Sequence, residues 1–235
     1  MTQDRSPRYA IYFTPGSGSA LARFGASIIG YDSDGGSDVP RLALNAVPPA
    51  ELISATQAPR RYGFHATLVA PFQLNSCSED QLCGGVEEFG AQAGAALLGR
   101  LEVSTISGFI ALTPREACPA VNGLAARCVE FFDRYRAPLG ANDLIRRSAG
   151  ELSLRQRRNL ERWGYPYVFD DFRFHMTLTG RLAPSAQQPF REALADAFRP
   201  IAGESHHIET VSLMRQRDPE AEFEVIARAK LSRRL

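Results

Sequence analysis

The chain has 235 residues, 44% of them hydrophobic and 23% charged, with 27 basic and 26 acidic side chains for a formal net charge of +1. That is ordinary globular composition, with enough length for a sizeable core, and the near-neutral charge gives no reason to expect a long polyanion as partner while leaving a small anionic ligand open. The N-terminal Met1 to Pro7 lacks an apolar leader, no run approaches about 18 apolar residues, and Cys77, Cys83, Cys118 and Cys128 form no Cys-x-x-Cys pair, so a cytoplasmic protein with reduced thiols and no membrane partner is expected.

In chain order, Tyr9 to Phe13 reads as a short strand between Pro7 and Pro15, and a short helix carrying Leu21, Phe24 and Ile28 follows. The acidic stretch from Gly30 to Pro40 reads as a solvated loop, because the Glu spacing of a calcium loop is missing. Gly16-x-Gly18 is too short for a dinucleotide fingerprint and is a turn. A helix is predicted from about Pro49 to Thr56, and a longer one from Ser78 or Glu79 with Leu82, Val86, Phe89 and Leu97 on one side and Gly99 as its stop. Leu101 to Ser104 and Phe109 to Thr113 form a hairpin around Ser107-Gly108, and Pro119 to Tyr135 is a helix with an apolar stripe.

From Ala137 to Arg162 the composition shifts, gathering Arg146, Arg147, Arg155, Arg157, Arg158 and Arg162. Ser153 to Trp163 should be helical, either as a solvated linker or as part of a basic flap over a site. Gln187 to Phe198 is a helix, and His207 to Met214 with Glu222 to Ala229 form a closing hairpin. His206-His207 is a poor chelate, since neighbours on a strand point to opposite faces.

One motif occurs twice. Phe64-His65-Ala66-Thr67-Leu68 and Phe174-His175-Met176-Thr177-Leu178 lie 110 residues apart and hold two of the four histidines, more than composition alone accounts for. From Phe172 to Arg181 the apolar residues Phe172, Phe174, Met176 and Leu178 alternate with Arg173, His175, Thr177, Thr179 and Arg181, which predicts a half-buried strand with one chemical face. Phe64, Ala66 and Leu68 alternate with His65 and Thr67 in the same way. After each tetrad come a helix and a two-stranded hairpin. This predicts an α+β fold of two related lobes, with mainly antiparallel sheets, outer helices and the tetrads facing across a central cleft. The expected organisation is one bilobal domain: residues 1–136 with the first tetrad, 137–163 as an Arg-rich connection, and 164–235 with the second.

These motifs resemble the signature of the two-histidine phosphoesterase superfamily. The strings Arg8 to Phe13, Arg61 to Leu68 and Arg162 to Leu182 are similar to a narrower branch of uncharacterised proteins encoded with bacterial carbon-phosphorus lyase genes. The resemblance implies that His65 and His175 are the catalytic pair and that Thr67 and Thr177 contact phosphate. It implies hydrolysis of a small cyclic phosphodiester, on a nucleotide or a ribose, within phosphonate metabolism, without metal or other cofactor. The alternatives are an RNA-end cyclic phosphodiesterase or ligase-like enzyme, with RNA guided by the Arg-rich segment, and a non-catalytic nucleotide or sugar-phosphate binding protein. A zinc hydrolase ligated by the two histidines is weakened by the lack of carboxylate or thiol partners at ligand spacing.

The chemistry fits the residue types. A diester hydrolase needs a base for water and an acid for the leaving alkoxide, and imidazole serves both near neutral pH, which predicts a bell-shaped pH profile belonging to the pair. Threonine hydroxyls can donate to the non-bridging oxygens. A guanidinium should help to hold the phosphate, with Arg173, Arg181 and Arg61 as candidates. Tyr12 is a candidate to line the substrate site by stacking, against a simpler role in the core.

Overall fold

The first sheet is built around β1 (Arg8–Phe13), in which Tyr9, Ile11 and Phe13 face the main core while Ala10 and Tyr12 join a smaller cluster with Met214 and Phe223. The computed structural model describes residues 6–148 and 150–232 of the chain. After β1 comes α1 (Ala20–Ile29), whose N-terminus is capped by Ser19, its hydroxyl accepting the Ala22 N–H at 3.1 Å. A small ribbon, β2 (Tyr31–Asp32) with β3 (Ser37–Asp38), occupies the acidic loop.

Helix α2 (Pro49–Arg60) runs beyond the Thr56 expected as its end and contains Pro59 in its last turn. A proline has no N–H for the carbonyl four residues back. That carbonyl, Ala55 O, instead accepts the N–H of Gly180 at 2.7 Å, which ties α2 to the segment carrying the second tetrad.

Then follow β4 (Ala66–Phe72), α3 (Glu79–Gln92), β5 (Ala96–Ile106), β6 (Phe109–Pro114), α4 (Pro119–Phe132) and a 3-10 turn at Asp133–Tyr135. The remaining elements are α5 (Ala141–Arg147), α6 (Leu154–Trp163), β7 (Met176–Thr177), α7 (Pro184–Phe198), β8 (Ser205–Ile208), β9 (Thr210–Gln216) and β10 (Glu224–Lys230). Two four-stranded antiparallel sheets result, ordered β10-β9-β1-β4 and β7-β6-β5-β8, in the α+β arrangement that the alternating pattern predicts. Both tetrads lie at sheet edges. Each half gives its tetrad to one sheet and most of its following strands to the other, so the two sheets interleave along the chain.

Three sequence expectations change. Helix α3 stops at Gln92, and Leu97 and Gly99 belong to β5. The alanine-rich run leaves the helix because its backbone is paired elsewhere: Ala95 N–H donates to Ser232 O at 3.0 Å, and Ala96 lies opposite Ile208. Gly99, at φ 79°, absorbs the register shift in β5. His207 belongs to β8, and the last hairpin is β9 with β10, because the chain changes sheet between Ile208 and Thr210.

The third change is in the second tetrad, where the ladder covers only Met176–Thr177. Beyond it the pairing with β6 continues irregularly: the Leu178 and Thr179 N–H groups both donate to Ile110 O, at 2.9 and 3.1 Å, and the Oγ1 of the fully buried Thr179 accepts the Ile110 N–H at 3.0 Å and donates to Gly180 O at 2.9 Å. The alternation survives without the ladder, since Phe174, Met176 and Leu178 are buried while His175 and Thr177 remain partly open. The predicted hairpin at Ser107-Gly108 is present, with positive φ at both residues (46° and 88°), the combination a tight two-residue turn requires.

Candidate active site

His65 sits immediately before β4, after a turn made by Gly63 at φ 70°. Its Nδ1 lies 2.9 Å from Gly63 O. A carbonyl can only accept, so Nδ1 carries the proton and Nε2 is the free nitrogen. His175 repeats this arrangement, with Nδ1 2.8 Å from Arg173 O. In both tetrads the imidazole donates to the carbonyl two residues earlier, which fixes the ring and turns Nε2 away from its own backbone. Thr67 Oγ1 is 3.3 Å from His65 Nε2 and can donate to it.

The two tetrads open onto adjoining recesses of one cleft, which share Thr67, Phe109, Tyr165 and Arg181 in their walls. The inner recess, about 400 Å³, also holds His65 and Thr177, and the outer one, about 480 Å³, holds His175 and Arg173. Tyr12 stacks on His65 with ring centroids 3.8 Å apart and planes 17° apart. Phe109 lies 5.7 Å from the His175 ring.

Electrostatics separate the two imidazoles. Burial lowers the pKa of His65 from 6.5 to about 4; the Gly63 hydrogen bond opposes this and the charge of His175 adds to it. His65 is therefore neutral at pH 7, with a free lone pair on Nε2. Burial likewise raises the phenols of Tyr12, to well above their ordinary value, and of Tyr165.

The sequence candidates do not all meet here. His65, Thr67, Thr177, Tyr12 and Arg181 line the inner recess, and His175, Arg173 and Arg181 the outer one. Tyr12 is a core residue with 1% exposure, and the ring face that could have stacked a ligand is occupied by His65. Arg61 is exposed and lines neither recess. It belongs to the turn that caps α2, where strand alternation does not apply, and its neighbour Tyr62 faces the cleft instead.

Within the Arg-rich segment, Arg147 lines the inner recess, donating to Pro71 O at 2.5 Å and also to Gly164 O. Arg155 lines the outer recess but is engaged by Asp171 at 2.7 Å, and Arg162 pairs with Asp133 at 2.7 Å. The side chain of Arg146 lies outside the described residues. Sequence reasoning overlooked Arg8, Tyr62, Tyr165 and Phe109 as cleft residues. For Arg8 a signal existed: it falls in phase with Ala10 and Tyr12, a lone charge on an otherwise apolar strand face.

Comparison with known proteins adds the following. A family model described as "Protein of unknown function (DUF1045)" matches residues 67–224. A ribose 1,5-bisphosphate phosphokinase PhnN from Janthinobacterium sp. (strain Marseille) is 36% identical over 235 residues, covering 95% of this chain and 50% of that protein. A protein of the same name from Laribacter hongkongensis (strain HLHK9) is 31% identical over 175 residues, covering 74% of this chain and 40% of that one. The chain thus spans half or less of the length of these curated relatives. Among solved structures, a phosphoesterase matches with a TM-score of 0.41 and 13% identity, covering 98% of this chain and 99% of that one. E. coli LigT, solved in complex with NADP+, matches with a TM-score of 0.43 and 14% identity, covering 97% and 99%. Likeness at that level does not carry an activity over.

Proposed function

The chain belongs to the DUF1045 family of proteins of unknown function, and we propose that it is a two-histidine phosphoesterase hydrolysing a cyclic phosphodiester on a ribose. The observation that carries this reading is the duplicated imidazole geometry: two histidines on two sheets, each donating Nδ1–H to the carbonyl two residues back, each opening onto one cleft beside a threonine.

The reaction assigned to these groups is as follows. His65 Nε2, neutral at pH 7, takes a proton from water as its oxygen attacks phosphorus. The bond from phosphorus to one sugar oxygen breaks, and that oxygen takes the proton from His175 Nε2. The product is a phosphate monoester beside a free hydroxyl, and the proton gained by His65 returns to solvent as His175 is reprotonated. Thr67 and Thr177 donate to the non-bridging oxygens as negative charge grows on them. Arg181, shared by both recesses, supplies positive charge beside them.

The ribose is suggested by the name of the longer relatives. The one lysine of this chain, Lys230, follows an alanine in β10, so its sequence carries no Gly-Lys-Ser/Thr phosphate-binding loop. The kinase of those relatives is accordingly assigned to their other half, and this half to a hydrolysis that would supply its sugar phosphate. The test is a turnover screen of 2',3'-cyclic nucleotides and ribosyl cyclic phosphates with His65→Ala and His175→Ala as comparators. Each substitution is expected to lower turnover by about 10² to 10⁴, with activity insensitive to chelators. Undiminished turnover in either variant sinks the mechanism, and loss of activity to chelation favours a metal hydrolase.

A further inference from the structure

The inner recess holds more positive charge than one diester explains. Its lining includes Arg8, Arg147 and Arg181 and, among the described residues, not one carboxylate. Arg8 is held in place without being neutralised: its Nε and Nη2 donate to Gln216 Oε1 at 2.8 and 2.5 Å. Gln216 is 1% exposed and is itself fixed by donating from Nε2 to Ala221 O at 2.8 Å. The guanidinium lies 5.8 Å from the centre of the Phe223 ring, and among the described residues it makes no ion pair. Its Nη1 has no protein partner there, so a preorganised cationic donor faces the cavity. The hydroxyl of Tyr12, a residue 1% exposed that lines the same recess, likewise has no hydrogen-bond partner among the described residues. The charges of both Arg8 and Arg147 act on that phenol.

The position matters as much as the charge. Tyr12 lies opposite Thr67 in the β1–β4 pairing, at the level of the first tetrad, whereas Arg8 is four residues back along β1. At about 3.3 Å per residue the backbone separation is roughly 13 Å. Arg8 thus enters the recess from a point displaced along the wall from the first tetrad, on the side where a second group of the same sugar would lie.

We propose that Arg8, held by Gln216 in the wall of the recess that Arg147 and Arg181 also line, forms a second anion subsite that binds a non-reacting phosphate monoester at the far end of the sugar. This rests on the hydrolytic reading above and narrows it: the substrate is a sugar bearing both a cyclic phosphodiester and a separate phosphate monoester, and the product is a sugar bisphosphate. The phosphate at Arg8 gains and loses no bond in the reaction. It supplies binding energy remote from the reacting centre.

Two measurements test this. In the first, kcat/KM is compared for a ribosyl cyclic phosphodiester with and without a 5-phosphate. The wild type should prefer the phosphorylated substrate, and Arg8→Met should lose about 10- to 100-fold of that preference, as for a charged hydrogen bond, with Arg8→Lys intermediate and serving if the methionine variant fails to fold. An equal preference in wild type and variant overturns the subsite. In the second, ribose 5-phosphate, which has no diester to cleave, is titrated calorimetrically into the wild type, the His65→Ala/His175→Ala double variant and the Arg8 variants. Binding retained in the double variant and weakened at least tenfold on loss of Arg8 supports the subsite even if no cyclic substrate turns over, in which case only the hydrolytic reading fails. Turnover without discrimination, or binding indifferent to Arg8, rejects the subsite and leaves the hydrolytic reading intact.

Discussion

The assignment of His65 as base makes its strongest prediction in the acid limb of the pH profile. Burial takes this imidazole from 6.5 to about 4; at 1.36 kcal/mol per pH unit, that is roughly 3 kcal/mol against protonation. The base therefore stays neutral well below the pH at which an ordinary histidine charges, and kcat/KM should fall only as the pH drops through about 4. The Tyr12 ring, 3.8 Å away, shields one face of the imidazole. Tyr12→Ala readmits water to that face and should move the limb upward by about one pH unit or more, whereas Tyr12→Phe keeps the stack and should leave it in place. The assay is kcat/KM against pH with a 2',3'-cyclic nucleotide, whose diester keeps one charge throughout, checked by NMR titration of the His65 ring protons in a His175→Ala background. An acid limb near 6.5 in the wild type, or one that Tyr12→Ala does not move, refutes the assignment of His65 as base.

The same pKa difference has a stability counterpart. Between about pH 4 and 6.5 the unfolded chain binds the proton that the folded His65 rejects, so the His65 contribution to stability should rise with pH across that window and level off above it; denaturant unfolding at several pH values should show a shallower slope in His65→Gln than in the wild type, the remainder coming from groups such as His206, whose pKa burial also lowers. Thr179→Val should cost about 1–3 kcal/mol by leaving the buried Ile110 N–H without an acceptor, and turnover should drop with it as the segment behind Thr177 loses its anchor; unchanged thermal stability would contradict this. Gly25→Ala would place a Cβ 1.9 Å from the Phe64 ring, so it should destabilise by about 1–3 kcal/mol and impair activity by displacing the residue next to His65, and wild-type kcat with an unchanged melting temperature would refute that.

The tetrads could be read because alternation is a property of extended backbone with or without a ladder. Phe174, Met176 and Leu178 are buried as the pattern predicts even though only Met176–Thr177 is hydrogen-bonded as a strand. The contact that continues the pairing beyond the strand, the Thr179 hydroxyl accepting from Ile110, depends on a partner 69 residues away that no local pattern names. The end of α3 was misplaced because Gly94, a local stop signal, was passed over in favour of Gly99, and because the pairing of Ala95 with Ser232 and of Ala96 with Ile208 is not visible locally. Arg61 was a candidate only because it precedes the first tetrad, and nearness in sequence across a turn does not place a side chain in the cleft. Arg8 was left out although its phase was correct, because nothing local says that its neighbour across β9 is a glutamine and not a carboxylate. A charged side chain becomes a ligand-binding one through what its partner fails to neutralise, and that partner is 208 residues distant.

Pro59 looks, within its own helix, like a defect. Its missing N–H leaves Ala55 O open to Gly180, two residues after the last hydrophobic residue of the second tetrad. The imperfection in one element is therefore the clasp that aligns the opposite wall of the cleft. Pro59→Ala would repair α2 by local rules, giving Ala55 an acceptor's usual partner within the helix, and would set that new N–H in competition with Gly180. A substitution that any helix propensity scale scores as an improvement should then slacken the alignment of Thr177 and Arg181. For consensus-based stabilisation of this family, the position is one to leave alone.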